Sequence, residues 1–202
     1  MVFVFDLDDT ICDSDGYSEC YIKEFIKQKN LPIKQIAKDV RYAEMKFSWS
    51  EIEARAWYYQ YGDQMMLEFP CKKNTVEIIN KLHSLGHKIV IATARDKNWH
   101  CQPEEITLQW IENVGLKYDK IYIGREDKEN ICKIENADVF VDDDLKITAR
   151  VQSMFDKQGK GITYLTNTNY NRHFEEPKKV KRIDDFTEIV KDLKIELHSR
   201  EK

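Results

Sequence analysis

No stretch of about 18 consecutive apolar residues occurs in this 202-residue chain, so no membrane-spanning helix is expected. The start lacks the basic residues and small-residue cleavage site of a signal peptide, and runs straight into an apolar segment. There is no CxxC pair. The five cysteines (Cys12, Cys20, Cys71, Cys101, Cys132) are odd in number and scattered, which argues against a zinc site and for free thiols in a reducing, cytoplasmic setting. Neither G-x-G-x-x-G nor G-x-x-x-x-G-K-S/T occurs, so no dinucleotide site or P-loop is supported, and the five histidines form no H-E-x-x-H pattern. A calcium loop around Asp13-Ser14-Asp15-Gly16 fails, because aligning Gly16 with the loop glycine puts Ile11 and Ile22 at ligand positions. A surplus of positive charge is absent too. The net charge of -4 disfavours an extended nucleic-acid surface, although one nucleotide needs only a local basic pocket. No internal repeat or low-complexity linker breaks the chain.

What is present is a sizeable apolar fraction, 42 %, enough for one large domain or a core with a modest insert. Val2-Phe3-Val4-Phe5 reads as a strand buried on both faces, the kind found inside a parallel sheet. After about residue 70, strands and helices alternate. Val76, Ile79, Leu82 and Leu85 fall at helical spacing, with Asn74 as the expected cap and Gly86 as the stop. Lys88–Ala92 is a second strand, Pro103–Val114 a helix stopped by Gly115, Lys120–Ile123 a third strand and Asp127–Asn136 a short helix. Val139–Val141 is a fourth strand, a helix runs to about Gln158, and Ile162–Leu165 is a fifth strand. A last helix is expected around Phe186–Leu193, and the basic run Pro177-Lys178-Lys179-Val180-Lys181-Arg182 is read as a solvated connection before it. The alternation predicts an α/β fold: a Rossmann-like parallel sheet with helices on both faces, binding ligands beyond the carboxyl ends of its strands.

Residues 15–70 differ. After a turn at Asp15-Gly16 they read helical throughout, split at Asn30-Leu31-Pro32, and they are rich in aromatics, including Tyr17, Tyr21, Phe25, Tyr42, Phe47, Trp49 and Trp57. The ordinary explanation is a small core of the insert's own. A few of these rings could instead face a site and stack on a flat substrate group.

Four signals carry chemistry, three at strand ends and one near a helix start. In Asp6-Leu7-Asp8-Asp9-Thr10, two acids one residue apart point to the same side of an extended backbone. Their repulsion calls for a cation, a shared proton, or both. A carboxylate can attack phosphorus and a second can serve as general acid and base. Thr93-Ala94-Arg95 supplies a hydroxyl and a cation for phosphoryl oxygens. A lysine near the start of the helix before the fourth strand would neutralise charge; Lys128 is favoured over Lys133. Asp142-Asp143-Asp144 ends the fourth strand, where Asp142 would hold a hard cation and Asp143 would act through water or orient a neighbour.

In this order the four elements resemble the haloacid dehalogenase (HAD) superfamily, over about residues 1–14 and 70–166. The resemblance implies Asp6 as nucleophile and Asp8 as acid and base. It implies Mg2+ held by Asp6, the Asp8 backbone carbonyl and Asp142, with Thr10 and Asp143 supporting them. Asp at position 8 matches phosphatases and phosphomutases of that family rather than dehalogenases or transport ATPases. Residues 15–70 match its helical (C1) cap, leaving 1–14 and 71–202 as the catalytic core. The stretch Thr168-Asn169-Tyr170-Asn171-Arg172 is similar to bacterial 5'(3')-deoxyribonucleotidase-like proteins, whereas Thr93-Ala94-Arg95 is closer to the Thr/Ser-Gly-Arg of polynucleotide 3'-phosphatases.

The expectation is thus a Mg2+-dependent phosphomonoesterase acting on a small phosphorylated metabolite, first a nucleoside monophosphate. The alternatives are a sugar phosphate, a polynucleotide 3'-phosphate end or a non-catalytic binding protein. No membrane partner is expected, and a homodimer is compatible with the sequence.

Overall fold

The computed structural model describes residues 1–29, 37 and 39–197. Six strands form one parallel sheet: β1 (Val2–Phe5), β2 (Lys88–Thr93), β3 (Lys120–Ile123), β4 (Val139–Asp142), β5 (Ile162–Thr166) and β6 (Lys181–Ile183). Their spatial order is β3-β2-β1-β4-β5-β6. The chain therefore leaves β1 toward one side and lays down β4 on the other. Connections diverge between the carboxyl ends of β1 and β4, which opens a crevice there.

Burial on both faces explains the apolar runs. Phe3, Val4 and Phe5 pair with Ile89, Val90 and Ile91 of β2 on one edge and with Val139, Phe140 and Val141 of β4 on the other. Side chains alternate across the sheet. Phe3, Phe5, Val139 and Val141 join one core with helices α4 (Thr75–Ser84), α5 (Pro103–Val114) and α8 (Thr187–Asp192). Val4, Val90 and Phe140 join a second with α6 (Lys128–Ile134) and α7 (Leu145–Gln158). Each such fully buried side chain contributes roughly 1.5–3 kcal/mol relative to exposure.

Local signals set the helix ends. Pro103 opens α5, and Gly115 closes it at φ 68°, a left-handed conformation that suits a residue without Cβ. Asp144 caps α7 by accepting from the Lys146 and Ile147 amides at 2.7 and 2.9 Å. Asn74 departs from expectation. It precedes α4, but at φ 62° its side chain caps nothing and instead donates to Asp185 Oδ2 at 2.7 Å.

Two further expectations are corrected. Gly16 is not in a turn; it lies in the first turn of α1 (Ser14–Lys29), where Asp9 Oδ1 accepts from the Ser14 and Asp15 amides. The basic run before the last helix is not all solvated connection, because Lys181–Ile183 forms the edge strand β6. The split at Asn30-Leu31-Pro32 lies outside the described residues.

Between β1 and α4 lie α1, α2 (Ala43–Phe47) and α3 (Glu51–Glu68), the segment expected to be an insert. Ser50 and Glu53 form a reciprocal capping box at the start of α3. The insert's aromatics pack on one another, with Phe25, Trp49 and Trp57 in edge contacts at 5.3 and 6.1 Å, and this core is continuous with the larger sheet-face core. Tyr42 is 43 % exposed, with the Arg41 guanidinium 5.5 Å from its ring centre. The loop leaving β2 grips α3: Arg55 Nη1 donates to Asn98 O at 2.6 Å and its guanidinium covers the Trp99 ring at 4.6 Å. Among the described residues no helix is long and apolar enough to cross a membrane.

Candidate active site

Three strand ends meet in the crevice. The Asp6 amide donates to Val141 O at 2.9 Å, which carries the β1–β4 pairing one step past the strand and sets Asp6 beside Asp142. The turn beyond tightens at once: Ile11 and Cys12 amides return to Leu7 O, and Asp9 sits at φ 55°. Lys72 and Thr166 side chains both bond the Asp9 carbonyl, holding that unusual conformation in place.

Lys128, at the start of α6, is buried between two acids. Its Nζ donates to Asp6 Oδ1 at 2.6 Å and to Asp142 Oδ2 at 2.7 Å. Lys133 is exposed and pairs with Glu129 instead. Asp142 Oδ1 accepts from the Asp144 amide at 2.8 Å, so both oxygens of Asp142 are engaged. Asp143 is different. Its Oδ2 meets the Tyr170 hydroxyl and lies 3.3 Å from Arg41 Nη1, while its buried Oδ1 has no partner among the described residues. One oxygen each from Asp6, Asp142 and Asp143 lie within 4.8 Å of one another. An orphaned buried carboxylate oxygen is costly. Here Asp143 belongs to a cluster of three buried acids whose hard oxygen donors are of the kind Mg2+ takes, so these residues fit that ion.

Electrostatics follow from burial. Burial raises Asp6 well above the ordinary carboxylate range, Lys128 pulls it down, and Asp142, Asp143 and Asp8 add to the rise. Asp142 is raised, mainly by burial. Burial opposes the Lys128 ammonium, but Asp142 and Asp6 together hold it above its usual value. Asp9 is lifted to about 6 by burial and then by Asp143.

Asp8 has a single dominant partner. Arg95 Nε and Nη2 reach its two oxygens at 2.9 and 2.7 Å, a bidentate pair. Arg95 is itself buried, bonded to Thr107 Oγ1 at 3.3 Å and set against the Phe69 ring. Burial alone would raise Asp8, but Arg95 outweighs it and holds the carboxyl below its ordinary value. Thr93 is fully buried at the end of β2, and Ala94 is exposed beside it. Thr10 Oγ1 donates to Asp6 Oδ2 at 3.5 Å.

The structure thus gathers Asp6, Asp142, Asp143, Lys128 and Thr10 into one cluster, with Asp8 and Arg95 paired beside it. Three residues of this region were not singled out for the site from sequence. Arg41 comes from the insert. Tyr170 and Asn171 come from the loop after β5, where Asn171 Nδ2 donates to Asp143 O at 2.9 Å. The usable signal for the last two was a polar loop at the carboxyl end of a parallel strand. A cleft of about 490 Å3 borders this loop, lined by Asp9, Lys72, Asn167, Tyr170 and Arg172 but not by Asp6 or Thr93.

No protein-family model matches the sequence, and no curated protein matches it. Solved structures do. The HAD-hydrolase YfnB from Bacillus subtilis, bound to magnesium, is 14 % identical with a TM-score of 0.66, over 96 % of this chain and 98 % of that one. A protein from Haemophilus somnus described as a phosphoglycolate phosphatase is 18 % identical with a TM-score of 0.64, over 95 % and 97 %. CbbY from Rhodobacter sphaeroides in complex with phosphate is 14 % identical with a TM-score of 0.61, over 93 % and 95 %. At these identities the likeness is one of fold: the chain has the HAD-like α/β fold.

Proposed function

We propose that the chain is a Mg2+-dependent phosphomonoesterase that works through an aspartyl-phosphate on Asp6. The observation that carries this reading is Lys128 bridging Asp6 and Asp142 at 2.6 and 2.7 Å, in a cluster with Asp143, whose Oδ1 has no partner among the described residues. Asp6, Asp142 and Asp143, with the Asp8 carbonyl, would hold the metal. We assign Asp143 a direct place on the ion beside Asp142, because its buried Oδ1 is the one oxygen of the three acids without a partner among the described residues. When bound, the ion supplies positive charge that favours an ionised Asp6 and offsets the charge of a phosphoryl group.

The residues divide the work. Asp6 attacks phosphorus; the P–O ester bond breaks, and the departing oxygen takes a proton from Asp8, which Arg95 keeps ionised in the free chain and which takes up that proton when the negative phosphate binds beside it. Asp8, now a carboxylate, takes a proton from water as that water attacks the phosphoryl group, which frees Asp6 and returns the proton to Asp8. Lys128 and the Thr93 hydroxyl hold phosphoryl oxygens, so the acceleration rests on positioning and charge neutralisation. Arg95 is committed to Asp8, and we assign it the control of that carboxyl's position and charge. Residues 15–70 act as a cap, with Arg41 reaching the acids from it.

The decisive assay is p-nitrophenyl phosphate hydrolysis. Turnover is expected with Mg2+ and is expected to vanish with EDTA; metal-independent turnover rejects the Mg2+ dependence, and none under either condition rejects catalysis and leaves a binding role. A second prediction concerns pH. Arg95→Met removes the bidentate pair while keeping similar bulk, so burial then governs Asp8 and its carboxyl rises. The limb of the pH–rate profile set by Asp8 should move to higher pH. An unmoved limb would show that Arg95 does not govern Asp8.

For the substrate we favour a small phosphorylated metabolite. The sequence resemblance supports a nucleoside monophosphate. A sugar phosphate is supported equally, since one solved structure of similar fold holds xylulose-(1,5)bisphosphate. A panel of nucleotides and sugar phosphates separates the two by their kcat/KM values.

A further inference from the structure

The loop after β5 does more than cross the top of the sheet. Thr168 and Asn171 close it on themselves, the Thr168 amide donating to Asn171 Oδ1 at 2.9 Å and the Asn171 amide to Thr168 Oγ1 at 3.2 Å. Asn171 Nδ2 then ties the loop to the carbonyls of Asp143 and Thr166, at 2.9 and 2.8 Å. Arg182 Nη1 holds Asn171 Oδ1 from β6 at 2.8 Å. The loop is therefore fastened to the backbone of Asp143 itself. Between these anchors Tyr170 projects its hydroxyl to Asp143 Oδ2 and, at 3.0 Å, to Asp9 Oδ2. The guanidinium of Arg41 lies 5.6 Å from the centre of the Tyr170 ring and reaches the same Asp143 oxygen.

A carboxylate on a short side chain has one torsion that decides which oxygen faces where. With Oδ2 engaged by Tyr170 and Arg41, Oδ1 is left without a partner among the described residues, on an acid clustered with Asp6 and Asp142. We propose that Tyr170 is a positioning residue of the metal site, orienting Asp143 so that its free oxygen meets the ion. The inference rests on the metal site proposed above. Hydrogen-bond partners of metal ligands matter because they fix ligand orientation and basicity; losing one typically weakens metal affinity by about 10–100-fold.

The test separates this role from simple loop anchoring. Mg2+ binding to the full-length chain is measured by isothermal titration calorimetry for the wild type, Tyr170→Phe and Tyr164→Phe. The control is chosen because the Tyr164 hydroxyl also donates to a carboxylate, Asp192 Oδ2 at 2.6 Å, on α8. Phe at 170 keeps the ring against Arg41 and removes only the hydroxyl. Tyr170→Phe is expected to bind Mg2+ roughly tenfold or more weakly. Tyr164→Phe is expected to bind like the wild type, although it too loses a hydroxyl bonded to a carboxylate. Equal Mg2+ affinity in the wild type and Tyr170→Phe overturns the proposal and leaves the metal site standing. Absence of Mg2+ binding in the wild type overturns the metal site, and this inference with it.

Discussion

Asp6→Asn is expected to lower phosphate-ester hydrolysis by roughly 10,000-fold or more, the scale seen when a covalent nucleophile is lost, while leaving the far-UV circular dichroism unchanged. The amide has the shape of the carboxylate but is no nucleophile toward phosphorus. Its oxygen can still accept from Lys128, so the local geometry has no reason to collapse. Stability points the same way. Burial, together with Asp142, Asp143 and Asp8, lifts Asp6 above its unfolded value despite Lys128. A carboxyl raised on folding adds nothing below its unfolded pKa of about 3.9 and costs stability as pH rises past it. A neutral amide avoids that cost, so without Mg2+ the variant should melt no lower than the wild type at pH 7. Retained full activity would remove Asp6 from the mechanism. Loss of activity together with loss of structure would make it a structural residue.

The central strands were legible because they are buried on both faces. Val2–Phe5 forms β1 and Val139–Asp142 forms β4, and up to the closing Asp142 the demand for apolar residues falls on every position, which leaves an unbroken run. The helix Pro103–Val114 was equally plain, with a proline to open it and a glycine to stop it. β6 was not. It lies at the sheet edge with Lys181 exposed, so half of its surface imposes no apolar pattern, and its basic residues read as connection. Gly16 was misread because a glycine after Asp15 signals a turn, whereas Asp9 caps the chain there into α1.

The site shows the same division. Asp6, Lys128, Thr93 and Asp142 each mark the end of a strand or the start of a helix, positions the periodicity exposes. Tyr170 and Arg41 act through long-range contacts that no spacing announces; the Tyr170 hydroxyl meets acids 27 and 161 positions away. The pairing of Arg95 with Asp8 was hidden for a related reason. A strand-end arginine beside a threonine suits a phosphate and a carboxylate equally, and only the fold decides which one it meets.

Lys128→Met should be the most destabilising change at the site. Lys128 is the one cation bonded to both Asp6 and Asp142 among the described residues, and all three groups are buried. Breaking a buried pair by removing one partner costs about 3–5 kcal/mol, because the remaining charges have neither water nor a counter-ion. Methionine fills similar space, so the loss is electrostatic rather than a cavity. Two features identify that origin. The carboxyls of Asp6 and Asp142, already raised by burial, lose the group that pulls them down. The deficit should therefore be small below about pH 4, where the unfolded chain's carboxyls are also protonated, and should grow as pH rises. Mg2+ should restore part of it, since an ion that binds only the folded state stabilises that state by mass action. Urea unfolding at pH 4 and pH 7, with and without Mg2+, measures both effects. Turnover should fall by roughly 100–1,000-fold, the usual cost of deleting one charge-stabilising contact to a transition state. A deficit independent of pH and of Mg2+ would mean that Lys128 packs against the acids without neutralising them.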